Sequence, residues 1–276
     1  MPRTTIRNII LHMAGDAEHM VRLDYALKLA RQFGAHIEIA YMVNPIGMPA
    51  EIQGRGASAA YLAEATAISR EKLATVQDEI VSRCRDAGVE WTWEVFEGEH
   101  NRVLADRSLF ADLIIVSQDH GIDPDEQVTL EGPGNLLSRA SCPVMVLPRG
   151  TTFPEPGHRI LVAWKDSPEA CHVVRRGRAF LAAADKVFLL TVTDAKTTDA
   201  GRDIVGYLKR HDLEVEAVHD TDTHHVGRAI LRQADQLNCD LILMGAFGRA
   251  RWKEILSGGN TDHVLNHATR AVLLSH

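Results

Sequence analysis

The sequence predicts an α/β protein built as two tandem doubly wound domains, each a five-stranded parallel sheet with helices on both faces. Three observations carry this expectation. Apolar runs of strand length alternate with longer stretches of helical period. The same ordered series of blocks occurs twice. A segment rich in Gly, Pro and Thr, Arg149 to His158, lies between the two series and reads as a linker. The 276 residues suffice for two domains of ordinary size, 1–150 and 151–276.

Taken in order, Ile9-Ile10-Leu11-His12-Met13 matches Ile160-Leu161-Val162-Ala163-Trp164 as the first strand. Short polar residues follow, Gly15-Asp16 in one copy and Asp166-Ser167 in the other. Ser167-Pro168-Glu169 then reads as a helix start, with a Ser cap, Pro in the first turn and an acid near the positive end. Apolar residues recur at helical spacing over Tyr25 to Arg31 and again over Ala229 to Leu237. The second strands are Ala35 to Ala40 and Asp185 to Leu190. The fourth strands are Ala111 to Val116 and Cys239 to Met244. Each copy closes on a helix and a strand, Leu136 to Ala140 with Val144 to Leu147, and Val264 to Ala268 with Val272 to Leu274. Strands that are apolar throughout suit a parallel sheet covered on both faces. The first copy has extra residues from about Pro45 to Ala60, which suit a surface loop or flap. Trp91 and Trp93 alternate along a strand-like run, so both face one way and suit packing against a helix or the partner domain. Cys142 and Cys239 adjoin apolar runs and are expected to be small buried hydrophobes; no CxxC pair exists among the four cysteines.

Composition narrows the function classes. A hydrophobic fraction of 45% and a charged fraction of 24% are those of a soluble globular chain. A net charge of −7 argues against a nucleic-acid surface. No apolar run approaches the roughly 20 residues that span a bilayer. Met1 to Asn8 lacks an apolar signal core, so a cytoplasmic setting is expected.

Doubly wound sheets bind ligands beyond the carboxyl ends of their strands, where strand order reverses. There the second copy carries Met244-Gly245-Ala246-Phe247-Gly248-Arg249, then Ile255 to His263 with Gly258, Gly259 and Thr261. The run leaves a buried strand and ends at the start of the last helix. Glycines admit an anion to backbone N–H groups, the helix N-terminus adds unpaired donors, and Thr261 adds a hydroxyl. A turn flanked by helix caps would account for the same glycines without a ligand.

Gly245-x-x-Gly248, nine residues, then Gly258 resembles the G-x₂-G-x₉-G-[S/T] nucleotide loop of the universal stress protein (UspA-like) family, and the whole chain is similar to its tandem form. The resemblance implies strand order 3-2-1-4-5 in each domain and pairing of the two domains through their last strands. It implies ATP as ligand, with Mg as companion ion, across the ends of strands one and four. Carried onto this sequence, the site is Ala163, Trp164, Lys165 and Asp166 after strand one and Val192 after strand two. Met244, Gly245, Gly248, Arg249, Gly258, Gly259, Asn260 and Thr261 follow along the Gly loop. It also implies a stress-response regulator with protein partners and further dimerisation.

Two departures qualify the match. Gly259 stands where the family has Ser or Thr, and Lys165 where it often has the Asp that touches adenine or ribose. The first copy departs further: Ser117-Gln118-Asp119-His120-Gly121 replaces the first glycines, and Glu131 and Pro133 stand before its last helix. That copy is expected not to bind ATP in the family manner. The alternative for the whole chain is a scaffold or interaction protein of the same fold that takes no nucleotide.

Other chemistry is thin. Ser257 to Asp262 echoes the SGG-x-D-S loop of ATP pyrophosphatases, but those place it after their first strand, and here one helix and one strand remain. His219, Asp220, Asp222, His224 and His225 offer zinc-type ligands, or a solvated polar loop; no metal is assigned to them. No nucleophile stands at interpretable spacing from a base, so catalysis is limited to slow ATP hydrolysis at most.

Overall fold

A computed structural model of the chain describes residues 5–43, 73–118, 133–151, 153, 156–194, 200–246 and 259–276. Among these residues the chain forms one ten-stranded sheet. The first half contributes β1 (Asn8–Met13), α1 (His19–Phe33), β2 (His36–Val43), helical residues 73–87 (α2) and β3 (Trp91–Glu97). It continues with α3 (His100–Arg107), a 3₁₀ turn (Ser108–Phe110), β4 (Leu113–Ser117), α4 (Pro133–Leu137) and β5 (Val144–Leu147). The second half runs β6 (Arg159–Trp164), α5 (Pro168–Arg176), α6 (Arg178–Ala183), β7 (Lys186–Val192) and α7 (Arg202–Lys209). It ends with β8 (Glu216–Asp220), α8 (Val226–Gln236), β9 (Leu241–Gly245), α9 (Asn260–His267) and β10 (Ala271–Ser275).

The spatial order is β3-β2-β1-β4-β5-β10-β9-β6-β7-β8, which is the order 3-2-1-4-5 followed by its mirror. Pairing is parallel within each half. The halves meet where β5 and β10 pair antiparallel, Val146 opposite Val272, Met145 opposite Leu273 and Val144 opposite Leu274. All six are buried, so the seam is continuous with the core. Two parallel sheets thus cover each other's exposed edge. Gln118, just past β4, reinforces the seam: its amide nitrogen donates to the Ala268 carbonyl at the end of α9, 2.9 Å away.

Alternate strand residues enter two cores, one on each face, as the all-apolar strands require. Ile9, Leu11 and Met13 point into one; Ile10, Ile114 and Val144 point into the other. Trp91 and Trp93 pack on the first of these cores, and Trp93 stacks on Tyr41 with centroids 5.1 Å apart. Cys142 and Cys239 are buried, and burial pushes their thiols up to about 12 and about 11, which makes them inert hydrophobes.

The repeat has a physical signature beyond its strands. Asp112, one residue before β4, accepts from the backbone N–H of Arg7 (2.8 Å) and Asn8 (3.0 Å). Asp240, one residue before β9, accepts from Gly157, His158 and Arg159, each at 3.0 Å. The same Asp thus pins the entry to strand one in both copies. The segment between them is held as well: Phe153 meets the Tyr25 ring edge-on, and Lys28 Nζ donates to its carbonyl at 2.6 Å.

Candidate functional site

In the second half β6 pairs with β7 on one side and β9 on the other, so strand order reverses between β6 and β9. The register sets Ala163 opposite Met244 and carries both strands to the same carboxyl edge. Ala163 and Trp164 end β6; Lys165 and Asp166 follow, both exposed. The Trp164 indole Nε1 donates to Asp166 Oδ1 at 2.8 Å, which fixes the turn. Ser167 then caps α5, its hydroxyl accepting from Ala170 N at 3.3 Å, as its sequence position predicts. Val192 ends β7, half-buried beside them.

Met244 and Gly245 end β9. Gly245 has a packing reason of its own: a Cβ there would lie 2.7 Å from backbone atoms of Glu169 and Ala170 in the first turn of α5. Glu169 is itself buried, which the sequence did not suggest. Gly248, Arg249 and Gly258 lie outside the described residues. Gly259 caps α9, whose first residues are Asn260 and Thr261. Because β10 runs parallel to β9, α9 runs back along the sheet and its N-terminus stands at the carboxyl edge. Asn260 Oδ1 accepts from Gly227 N at 3.2 Å, tying that end to α8. Gly227 permits this contact, since a Cβ would be 3.0 Å from His263. Burial pushes the Asp262 carboxyl up, opposed in part by the Gly259 N–H it accepts from. Of the expected site residues, the described ones therefore gather at one edge, on β6, β7, β9 and α9.

The same edge of the first half is built differently, and sequence reading missed it. The registers of β1 on β4 and β6 on β9 align Ile9 with Ile160 and Leu113 with Leu241. His12 therefore stands at the position of Ala163, Asp16 at that of Ser167, Arg22 at that of Val173 and Ser117 at that of Gly245. Arg22, 1% exposed, reaches from α1 over the strand ends. Its Nε donates to the His12 carbonyl at 2.9 Å, and Nη1 donates to Asp16 Oδ1 at 2.9 Å and Ser117 Oγ at 3.0 Å. Its Nη2 pairs with Asp16 Oδ2. On the other face His12, fully buried, has Nε2 3.1 Å from His100 Nδ1 at the start of α3. Burial, then the Arg22 and His100 charges, hold the His12 pKa well below 6.5. A histidine inside an apolar strand, aligned with alanine in the other copy, was the available signal.

The polar run after strand three of the second half also resolves. Asp220 accepts from Asp222 N (3.0 Å), Gln233 Nε2 (2.8 Å) and Arg232 Nη2 (2.9 and 2.8 Å), and these partners, once burial is overcome, pull its carboxyl down to about 2. His225 Nδ1 lies 3.2 Å from Asp222 Oδ1. Among the described residues no group of three or more His, Cys, Asp or Glu is placed to hold a metal. Nor is any of their helices long and apolar enough to cross a membrane.

Comparison with known proteins bears on this geometry. Residues 157–276 match the model of the Universal stress protein family. No curated protein matches the sequence significantly. A universal stress protein from Archaeoglobus fulgidus DSM 4304 superposes with a TM-score of 0.78 at 15% identity, covering 97% of each chain. A putative universal stress protein from Pseudomonas aeruginosa UCBPP-PA14 gives 0.64 at 16%, covering 98% of this chain and 93% of that one. A functionally unknown protein from Pseudomonas aeruginosa PAO1 gives 0.64 at 14%, covering 98% and 92%. At these identities the likeness is one of fold, and it extends over both halves as joined here.

Proposed function

We propose that this chain, whose residues 157–276 match the model of the Universal stress protein family, is a stress-response protein whose second half takes ATP, with Mg as companion ion, at the carboxyl ends of β6 and β9. The carrying observation is the contrast in side-chain bulk at the two switch points. Ala163 and Gly245 stand where the first half has His12 and Ser117, and Val173 stands where it has Arg22. Ala163 and Gly245 bear no side chain that could close off the strand ends by bonding across them, whereas those of the first half are already bonded to side chains. The Gly-rich run from Gly245 to Gly259 leads into the N-terminus of α9, a setting suited to phosphate. Thr261 and exposed Lys165 add a hydroxyl and a positive charge.

In this reading 1–150 and 151–276 are the two domains, and the first is structural or regulatory. ATP alters the shape of the second domain or its affinity for protein partners in the cytoplasm, with hydrolysis slow at most. Calorimetric titration of nucleotide-free chain with ATP and Mg should give one site per chain, abolished by Gly248→Asp. Folded, nucleotide-free wild type that gives no heat would overturn the proposal.

A second reading, a scaffold of the same fold without nucleotide, has its own support. Two carboxyl groups, Asp262 at the Gly259 N–H and buried Glu169 beside Gly245, stand where phosphate would approach. It predicts partner capture that is indifferent to ATP; partners that change on adding ATP would count against it.

A further inference from the structure

The first half carries a cavity that neither the fold nor the nucleotide reading uses. It has a volume of about 400 Å³ and lies between α1, the last turns of α2 and Phe153 of the segment joining the halves. Val21, Tyr25, Leu27 and Phe153 supply apolar wall, and the Tyr25 and Phe153 rings meet edge-on with centroids 5.1 Å apart. Lys28 and Arg31 line it from α1, and Arg83 and Asp86 from α2. The charges on these walls are unequally matched. Arg83 is paired with Asp24 at 2.8 Å and Glu79 at 3.4 Å. Lys28 donates to the Phe153 carbonyl at 2.6 Å, while Asp24, one turn before it, is bonded to Arg83. Arg31 Nε donates to the Ala87 carbonyl at 2.9 Å, and among the described residues no carboxylate pairs with its Nη groups. A carbonyl orients a cation without neutralising it. Lys28 and Arg31, one turn apart on one helix, therefore face the cavity as two like charges that repel.

We propose that this cavity binds a small amphipathic carboxylate, its apolar or aromatic body against Tyr25, Leu27 and Phe153 and its head group held by Lys28 and Arg31. The free fork of a guanidinium matches the two oxygens of a carboxylate, and an anion between the two cations removes their repulsion. Small-ligand sites have this size and this make-up, an apolar wall with a few polar groups that fix orientation. Asp86, on the α2 side, limits the head group to one negative charge, since a doubly charged phosphate would be repelled by it. The cavity shares no residue with the proposed nucleotide site, so it stands or falls apart from ATP binding.

The test titrates the full, nucleotide-free chain by calorimetry with 1-naphthylacetate and, in parallel, with 1-naphthylacetamide, which has the same shape and no charge. The carboxylate should bind at one site with a Kd on the order of a millimolar or tighter, in keeping with its size. It should bind roughly tenfold more tightly than the amide, the worth of a charged hydrogen-bonded contact. Arg31→Gln should weaken the carboxylate roughly tenfold and leave the amide unchanged. Arg31→Lys should recover part of the loss. A general loosening of α1 against α2 would instead weaken both probes alike, as Phe153→Ala should by removing apolar wall. Arg31 is exposed, so its variants are read on folded protein. No binding of the carboxylate, equal binding of the two probes, or a preference untouched by Arg31→Gln would overturn the proposal.

Discussion

At the carboxyl edge of β1 and β4, polar side chains bond one another: Arg22 with Asp16, Ser117 and the His12 carbonyl, and His12 with His100. At the same edge of β6 and β9 the corresponding positions hold alanine, glycine and valine, and the exposed groups are Lys165, Asp166 and the cap of α9. One backbone design, joined to its own copy through β5 and β10, thus supports two kinds of switch point. The lesson is that an internal ion pair can occupy strand ends where the other copy of the same backbone presents only alanine and glycine. The fold keeps the strand order in both halves; what differs is which groups the strand ends bond to.

Removing half of that ion pair should break the comparison most visibly. Arg22 and Asp16 have side-chain exposures of 2% and 10%. Arg22→Val installs the residue of the second half but leaves the Asp16 carboxylate buried without its partner. The expected loss is about 3–5 kcal/mol in urea unfolding. Arg22→Val with Asp16→Ser, which copies Val173 and Ser167 together, should recover much of it, because replacing both members of a buried pair is far milder than removing one. Equal losses in the single and double variants would mean that Arg22 acts through its bonds to His12 and Ser117 and not through Asp16.

The next effect is a pH dependence confined to the first half's edge. Burial and the positive Arg22 hold His12 below its ordinary pKa, and burial does the same to His100 against the opposing pull of Glu99 and Asp16. The folded chain resists protonation of both rings, while the unfolded chain takes up protons near pH 6.5. The unfolded state therefore binds more protons in mild acid. Stability is whole above pH 6.5 and declines as pH falls below it, by up to about 1.4 kcal/mol per pH unit for each histidine. His12→Ala, the residue of the second half, should make the decline between pH 6.5 and 5.5 shallower by one proton's worth, whatever it does to stability at pH 8. An unchanged slope would show that His12 is protonated in the folded protein.

The fold was legible in the sequence because it depends on repeated, local signals. Apolar runs in the same order, Ser167 as a cap and the paired blocks around Asp112 and Asp240 all survive as structure. The gathering of Ala163, Trp164, Lys165, Asp166, Val192, Met244, Gly245, Asn260 and Thr261 at one edge follows from that order once the strands are parallel. The chemistry of the first half was not legible. Arg22 reads as one charge on a helix surface, and only the packing of α1 over the strand ends turns it inward to Asp16 and Ser117. The burial of Glu169 likewise depends on how closely α5 sits on Gly245, a distance that no spacing rule conveys.

The smallest effect separates the two readings of the second half. Gly259 caps α9 without a side-chain hydroxyl, and its N–H is engaged by Asp262 three residues on. An acid in the first turn stabilises a helix by about 0.3–1 kcal/mol, so Asp262→Ala should lower stability by that amount. The same change frees an N–H at the helix start and removes a negative charge from it. If ATP phosphates sit there, affinity should rise roughly fivefold, about 1 kcal/mol, even as the protein becomes slightly less stable. Stability and binding then move in opposite directions, which a general loosening of α9 would not produce. ATP affinity that is unchanged or weaker in folded Asp262→Ala would show that phosphates do not use the α9 terminus, and the second half would then resemble the first in having its switch point bonded internally.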